Sequence, residues 1–404
     1  MKRWSRRLFL LFGLVVLSQL PFAYRSYRLG RLDNAIKQVA SQRSVAAAEI
    51  GFVDYKGVMH VHSFLGGHST GTFTELIAAA KSNGLDFVIM TEHPQPDFDT
   101  SAMTLNGLRS GVLFINGNEV ATGDGDRLLL IPGSETANTA ATKSTQQVID
   151  EQKARSGLAI VAYPNEFHSW QANGYDGIEI YNLFTNTKSL NRVVTFFDAL
   201  WSSRTYPDLM FANFFARPDD QESRWDEAIV DGNKKLVATE GNDAHSNIGL
   251  SLNDSTGKQL LGIKLDPFER TFHIVRTHVL VEKDKPLTRE SLLEAIAQGH
   301  CYISFDLFAD PQGFNFTAEK GPEQKIMGDE VALDSGLHLK VSAPLPCRFL
   351  LFKNGNVIEQ KLDQRTTDFE IHERGVYRIE TYLDSLPRPA NGKPWIISNP
   401  IYVR

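Results

Sequence analysis

The chain has 404 residues, of which 42% are apolar and 22% charged, with a net charge of −6. That length exceeds one average domain and that apolar share can build a core, so a disordered or low-complexity protein is excluded and a large domain plus a smaller one is predicted. The mildly acidic balance, without a basic stripe or base-stacking motif, excludes nucleic acid as the expected partner.

The first element is a leader. Lys2, Arg3, Arg6 and Arg7 precede an apolar run from Leu8 to Ala23, broken only by Ser18 and Gln19. Charge followed by an apolar run is the order of an export signal, and the run is short of the roughly 20 residues of a full span. Pro21-Phe22-Ala23 makes a poor small-x-small cleavage site. Residues 1–24 therefore read as a signal peptide or an uncleaved signal anchor, with Arg25, Arg28 and Arg31 on its far side. The expected location is outside the cytoplasm: periplasmic or cell-envelope, secreted or tethered to a membrane by the N-terminus. No cysteine follows the run, which excludes a lipid-anchored lipoprotein. Residues 25–50, with Ala46-Ala47-Ala48, read as a helical spacer.

From residue 51 to 305 strand-like and helix-like runs alternate. Strands are predicted over 57–62, 86–91, 112–116, 128–131, 159–163, 177–181 and 235–239. Helices are predicted over 74–82, 144–155, 191–201, 219–230 and 289–298, the first stopped by Gly84. Apolar strands alternating with helices imply a parallel sheet, and about seven repeats imply a barrel whose chemistry sits at the C-terminal strand ends. After Asp306 short alternating runs replace helices, at 337–342, 348–352, 368–372, 375–383 and 395–403, with a hairpin signal at Asn354-Gly355. Residues 306–404 thus read as a small antiparallel, immunoglobulin-like sandwich. Cys301 and Cys347 fit either a disulfide in an oxidising compartment or two buried thiols.

Histidines and carboxylates gather at the strand ends. His60-x-His62 places two imidazoles on one strand face, and His68 follows in a glycine-rich loop. Thr91-Glu92-His93, Gly117-Asn118-Glu119-Val120 and Gly241-Asn242-Asp243-Ala244-His245 each sit at or just past a strand end. In this order the motifs resemble the PHP (polymerase and histidinol phosphatase) metallohydrolases over residues 50–305. Val275-Arg276-Thr277-His278, Gly299-His300-Cys301-Tyr302 and Ser398-Asn399-Pro400-Ile401-Tyr402 resemble its exported branch, which includes carbaryl-hydrolase-like proteins and adds a C-terminal sandwich. The resemblance implies a fold of the α/β class, a distorted seven-stranded barrel followed by the all-β domain. It also implies that His60, His62, Glu119 and Asp243 surround one divalent ion and that His68, His93 and His245 surround another. Imidazole with carboxylate suits zinc, manganese or iron and leaves a position for water, whose proton a bound metal makes easy to lose.

The chain also departs from that pattern. The three-metal members carry two further histidines, where this sequence has Asp126-Arg127-Leu128 and Tyr163-Pro164, so a third site lacks its imidazoles. Arg127 could instead hold an anionic substrate, although a loop arginine is commonly just solvated. His168 is a candidate substitute ligand or general acid, set against a plain surface histidine. Arg217 is a candidate for neutralising developing charge, set against simple pairing with Asp219 or Asp220. Glu92 stands where the family has aspartate and is expected to orient a ligand. His273, His278, His300, His338 and His372 read as structural, and no Walker loop, dinucleotide turn or Gly-x-Ser-x-Gly elbow competes. The expectation is a phosphoesterase acting on a small or lipid-like anionic substrate. A carbamate, amide or carboxylic-ester hydrolase on the same centre is the alternative, and a non-catalytic metal-binding envelope protein a third reading.

Overall fold

The computed structural model describes residues 2–44, 51–188, 191–230, 232, 234–247, 249–253, 259–320 and 323–404. Ala46-Ala47-Ala48 of the expected spacer therefore lies outside the described residues. The leader and the spacer as far as Ala40 are one helix, α1 (Lys2–Ala40), with Pro21 inside it. Leu29, Leu32 and Val39 of its second half are buried on the body.

The body is mixed α/β. Its strands begin with β1 (Phe52–Val61), β2 (Phe87–Met90), β3 (Gly107–Arg109), β4 (Val112–Ile115), β5 (Asn118–Ala121), β6 (Arg127–Ile131), β7 (Leu158–Ala162), β8 (Gly177–Asn182) and β9 (Val237–Gly241). A hairpin, β10 (Gly249–Asn253) and β11 (Gln259–Lys264), precedes β12 (Arg276–Glu282) and β13 (Cys301–Ser304). Helices between them are α2 (Phe73–Ser82), α3 (Thr100–Met103), α4 (Thr145–Ala154), α5 (Leu183–Lys188), α6 (Arg192–Ser202), α7 (Asp219–Val230), α8 (Phe268–Thr271) and α9 (Arg289–Gln298). Local chemistry sets their ends. Thr72, Ser144 and Thr288 close capping boxes at the starts of α2, α4 and α9, and Gly299, at φ 76°, ends α9 in the left-handed region.

The pairing corrects the all-parallel expectation. β1–β2, β2–β4, β7–β8 and β8–β9 are parallel, but β5–β6, β6–β7, β1–β12 and β12–β13 are antiparallel. For β5–β6 the reason is local: only five residues, Thr122 to Asp126, turn between them around the positive-φ Gly125, leaving no length for a crossover helix. β5 to β9 form one sheet, and β1, β2, β4 and β12 belong to the other. The two meet at the strand ends through single parallel bridges, Val61 with Ala244 and Glu92 with Asn118. Beneath those bridges Met59, Ile89, Ile115, Leu129, Ile160, Val237 and Val279 share one buried cluster drawn from both sheets. Burying each such side chain is worth about 1.5–3 kcal/mol, which is what holds the strand ends in place.

After β13 come β14 (Asn315–Lys320), β15 (Glu323–Ile326), β16 (Glu330–Val331), β17 (His338–Lys353), β18 (Asn356–Glu370), β19 (Gly375–Tyr382), β20 (Ile396–Ser398) and β21 (Ile401–Val403). The runs expected at 337–342 and 348–352 are one long strand, and Asn354 (φ 49°) with Gly355 (φ 79°) turns it into β18. This region continues the sheet of β1, because β13 pairs antiparallel with β20. A ladder thus runs unbroken across residue 305. Cys301 and Cys347 are both buried and free, which answers the disulfide question in favour of two thiols.

Candidate metal centre

Five segments converge where the sheets meet. β1 delivers His60 and, just past its end, His62, from a strand that is irregular there: its register shifts between Val58 and Val61, and His60 has a φ of 59°. Asp243, just past β9, has a φ of 48°, and Tyr163, just past β7, one of 52°. Three side-chain-bearing residues in the left-handed region at one spot is costly backbone, of the kind that concentrates at functional sites. The bends are held by Asn242 N donating to Met59 O at 2.9 Å, Ala244 N to His60 O at 3.3 Å and His62 N to Ala244 O at 3.1 Å.

The donor atoms of His60, His62, Glu119 and Asp243 lie within 4.8 Å of one another, and so do those of His62, His93 and His245. His62 belongs to both groups; its ring stacks on His93 at 4.6 Å and on His245 at 4.3 Å. His68 does not join either group; it meets the His93 ring edge-on at 5.0 Å and lines the cleft above.

The set fits a divalent cation on its own chemistry. His62 and Asp243 are buried, yet both nitrogens of His62 and Oδ1 of Asp243 make no hydrogen bond. Buried polar atoms are normally satisfied, and orphans facing one another invite an ion. Three carboxylates crowd the same place. Burial alone would lower the His60 pKa, but Glu179, Asp243 and Glu119 outweigh it and hold it well above the usual imidazole value. His62 is raised likewise, burial being outweighed by Asp243 and Glu119. Glu119 and Asp243 are lowered although burial opposes it, chiefly by the charge on His60. His93 and His245 go the other way, to about 4, because of burial and then the charge on His62. Such a cluster exchanges protons for a metal cation, and neutral imidazoles and carboxylates are the forms that bind it.

Residues behind the donors fix their aim. Glu179 Oε2 is 2.6 Å from His60 Nδ1, so the free face of the ring is Nε2, which points at Glu119 and Asp243. Asn182 Nδ2 donates to Glu179 at 2.6 Å and to Asp243 Oδ2 at 3.2 Å; the Tyr163 hydroxyl donates to the same Oδ2 at 2.8 Å. Glu179, Asn182 and Tyr163 were not among the sequence candidates. The strand-end position of Glu179-x-x-Asn182, and for Tyr163 its place where the resembled family has a histidine, could have flagged them. Glu92 accepts from Ser63 Oγ at 2.6 Å and Thr104 Oγ1 at 2.8 Å, bracing the turn after β1 from outside the donor groups.

Above the donors opens a cleft of about 670 Å³, walled by His68, Gln95, Arg127, Tyr163, Phe184 and Asn247 among others. Arg127 donates from Nη1 to Glu119 Oε1 at 3.3 Å while its side chain stays 42% exposed toward the cleft. The other two candidates for contact with substrate are corrected. His168 does not line the cleft; its side chain is 74% exposed, and its backbone N–H serves Asp126 at 2.6 Å. Arg217 is spent elsewhere, on Glu222 at 2.5 Å, Glu380 at 2.6 Å and Asp219, tying α7 to β19. Neighbouring acids claimed both, as charge pairing commonly does. His278 is buried between Asp54 at 2.9 Å and Asp306 at 3.4 Å, away from the cleft.

No family model matches the chain, and neither does any curated protein. Among solved structures it is similar to PsfC from Pseudomonas syringae, at 13% identity over 62% of this chain and 91% of that one, with a TM-score of 0.36. It is also similar to the lesion-specific endonuclease PfuEndoQ from Pyrococcus furiosus, at 15% identity over 61% of this chain and 56% of that one, TM-score 0.35. A third is a candidate metal-dependent phosphoesterase from Bifidobacterium adolescentis, at 14% identity over 47% of this chain and 87% of that one, TM-score 0.30.

Proposed function

We propose that the protein is a divalent-metal-dependent hydrolase of PHP type, a phosphoesterase for a small or lipid-like anionic substrate, working outside the cytoplasm. In this reading residues 51–305 form the hydrolase and residues 306–404 a sandwich packed against it. One observation carries the proposal: four buried donors from β1, β5 and the end of β9 lie within 4.8 Å of one another, with unsatisfied atoms of His62 and Asp243 among them. His60, His62, Glu119 and Asp243 would hold one zinc, manganese or iron ion, and His93 and His245, with His62 or His68, a second.

A bound ion there supplies a polarised water and a positive counter-charge for the ester oxygens. The chain's own groups do the rest. Glu179 keeps the His60 proton on Nδ1 and the ring in place, and Tyr163 with Asn182 fixes Asp243. Arg127, half in the cleft and anchored by Glu119, offers one fixed cation to an anionic group. The buried strand ends exclude bulk water from the floor, which strengthens each of these interactions.

Metal analysis of the purified chain, then turnover of phosphodiesters and phosphomonoesters with added manganese or zinc, tests the reading. Metal present with turnover of a carbamate or amide instead would transfer the same centre to carbonyl chemistry. Less than one metal per chain with no hydrolysis after reconstitution would end the proposal.

A further inference from the structure

The first half of α1 stands clear of the body. Phe9, Phe12 and Leu17 are 76%, 66% and 59% exposed, and the helix is long and apolar enough to cross a membrane. Helix α6 crosses it at the foot of that apolar run. The Phe22 and Phe197 rings lie 5.0 Å apart, Arg25 pairs with the fully buried Asp198 at 2.6 Å, and Trp201 Nε1 donates to Gln19 Oε1 at 3.1 Å.

The polarity of α6 is inverted relative to a water-facing helix. Its polar Asp198 and Ser202 point inward and are buried. Its outward stripe is Val193, Phe196 and Leu200, 64%, 47% and 64% exposed, at the i, i+3, i+7 spacing of one helical face, with Trp201 on the flank. Exposed rings also ring α1 at this level, Tyr24 at 61% and Tyr27 at 63%, followed by Arg28 and Arg31. Aromatic and basic residues where an apolar helix ends are the composition of a membrane–water boundary.

We infer that the outer face of α6 lies in the interface of a lipid bilayer, a second contact that lays the body against the membrane α1 enters. The cleft comes with it. Phe184, in the cleft wall, belongs to α5, which ends at Lys188 just before α6. Four helical steps and five extended ones span at most roughly 24 Å from Phe184 to Val193, so the cleft wall lies within that distance of the stripe. An amphipathic ester could then be attacked while its tails stay in the leaflet; that consequence, unlike the docking itself, rests on the proposed hydrolase reading.

The test reads docking by fluorescence, so it stands or falls independently of any catalysis. The full chain, carrying Trp4→Phe, is reconstituted into phosphatidylcholine vesicles containing lipid brominated at either the 6,7 or the 11,12 positions. Subtracting the same chain with Trp201→Phe isolates Trp201. Quenching at least twofold stronger from the shallow bromines is expected. No quenching from vesicle-bound chain, or stronger quenching from the deep bromines, would overturn the inference. So would quenching that vanishes at one chain per vesicle, which would assign the stripe to a second copy. Val193→Glu with Phe196→Glu and Leu200→Glu should still float with vesicles through α1, yet lose more than half of the shallow quenching. Unchanged quenching in that variant would also refute it.

Discussion

Glu179→Gln perturbs the aim of the candidate metal centre without removing a donor. The carboxylate uses Oε2 on His60 Nδ1 at 2.6 Å and Oε1 on Asn182 Nδ2 at 2.6 Å, both of which donate. A glutamine in the same place must turn its own NH2 toward one of them, so a donor faces a donor and one contact breaks. If the contact to His60 fails, the ring is free to rotate or change tautomer, and Nε2 no longer addresses Glu119 and Asp243. Outer contacts of this kind are worth about 10–100-fold in metal affinity, or about 1.4–2.7 kcal/mol. Gly241→Ala should act on the same carboxylate from behind, since a Cβ there would stand 2.0 Å from Glu179 Oε2. Both variants should be titrated with manganese or zinc after chelator treatment, alongside thermal unfolding with and without metal. The expected result is weaker binding with a smaller metal-induced rise in melting temperature. For Glu179→Gln, the metal-free protein should also lose some stability, because the broken contact leaves a buried donor unpaired. Glu179→Gln binding metal within twofold of the parent at full stoichiometry would refute the role given to Glu179.

His62→Ala or Asp243→Ala should abolish metal retention and turnover together, checked by elemental analysis and the ester panel; full activity in either would contradict the centre. Metal binding should release protons near neutral pH, because carboxylates hold His60 and His62 protonated above the usual imidazole range in the metal-free chain, so affinity should rise with pH. Calorimetry in two buffers of different ionisation heat measures that release. His278→Gln should cost less than the about 3–5 kcal/mol of a fully stranded buried charge, because Asp306 keeps Arg276 at 2.9 Å and Asp54 keeps the Tyr302 hydroxyl at 2.7 Å. Burial pulls the His278 pKa down, but those two acids push it up to about 10, so its contribution is complete below the unfolded value near 6.5 and lost as pH rises toward 10. Urea midpoints for variant and parent should therefore converge between pH 6.5 and 10. Arg217→Ala should lower the unfolding midpoint and leave kcat unchanged, as its partners are structural.

What the sequence disclosed was whatever depends on short range. The helices over Asp219–Val230 and Arg289–Gln298 end where the pattern places them, the second bounded by the Thr288 capping box and Gly299. The Asn354-Gly355 hairpin is equally local. The convergence of His60, His62, Glu119 and Asp243 was legible because residue types able to hold a metal are a narrow set and here fall at strand ends. Outside the short β5–β6 turn, strand direction was not legible, since an apolar strand reads the same whether its neighbour runs with it or against it. Nor were Glu179 and Tyr163, because a carboxylate and a phenol become supports only through partners distant in sequence, His60 and Asp243. His168 and Arg217 were misplaced for the complementary reason: nothing local to Arg217 reveals that Glu380 waits 163 residues away.

The supports explain why the donors can be so poorly satisfied without an ion. A buried imidazole with no hydrogen bond, like His62, and a carboxylate oxygen left bare, like Asp243 Oδ1, each cost stability. Left-handed backbone at His60, Tyr163 and Asp243 adds about 1–3 kcal/mol apiece. A fold retains such a concentration of unfavourable terms only where surrounding structure over-determines it. Here the strand-end bridges and the Met59–Val279 cluster do so, so the centre is preorganised by the two sheets rather than assembled by the metal. The consequence is measurable: chelation should leave the far-ultraviolet dichroism and the cooperative unfolding transition in place while lowering its midpoint. Collapse of the transition on metal removal would mean instead that the ion, and not the sheets, holds the strand ends together.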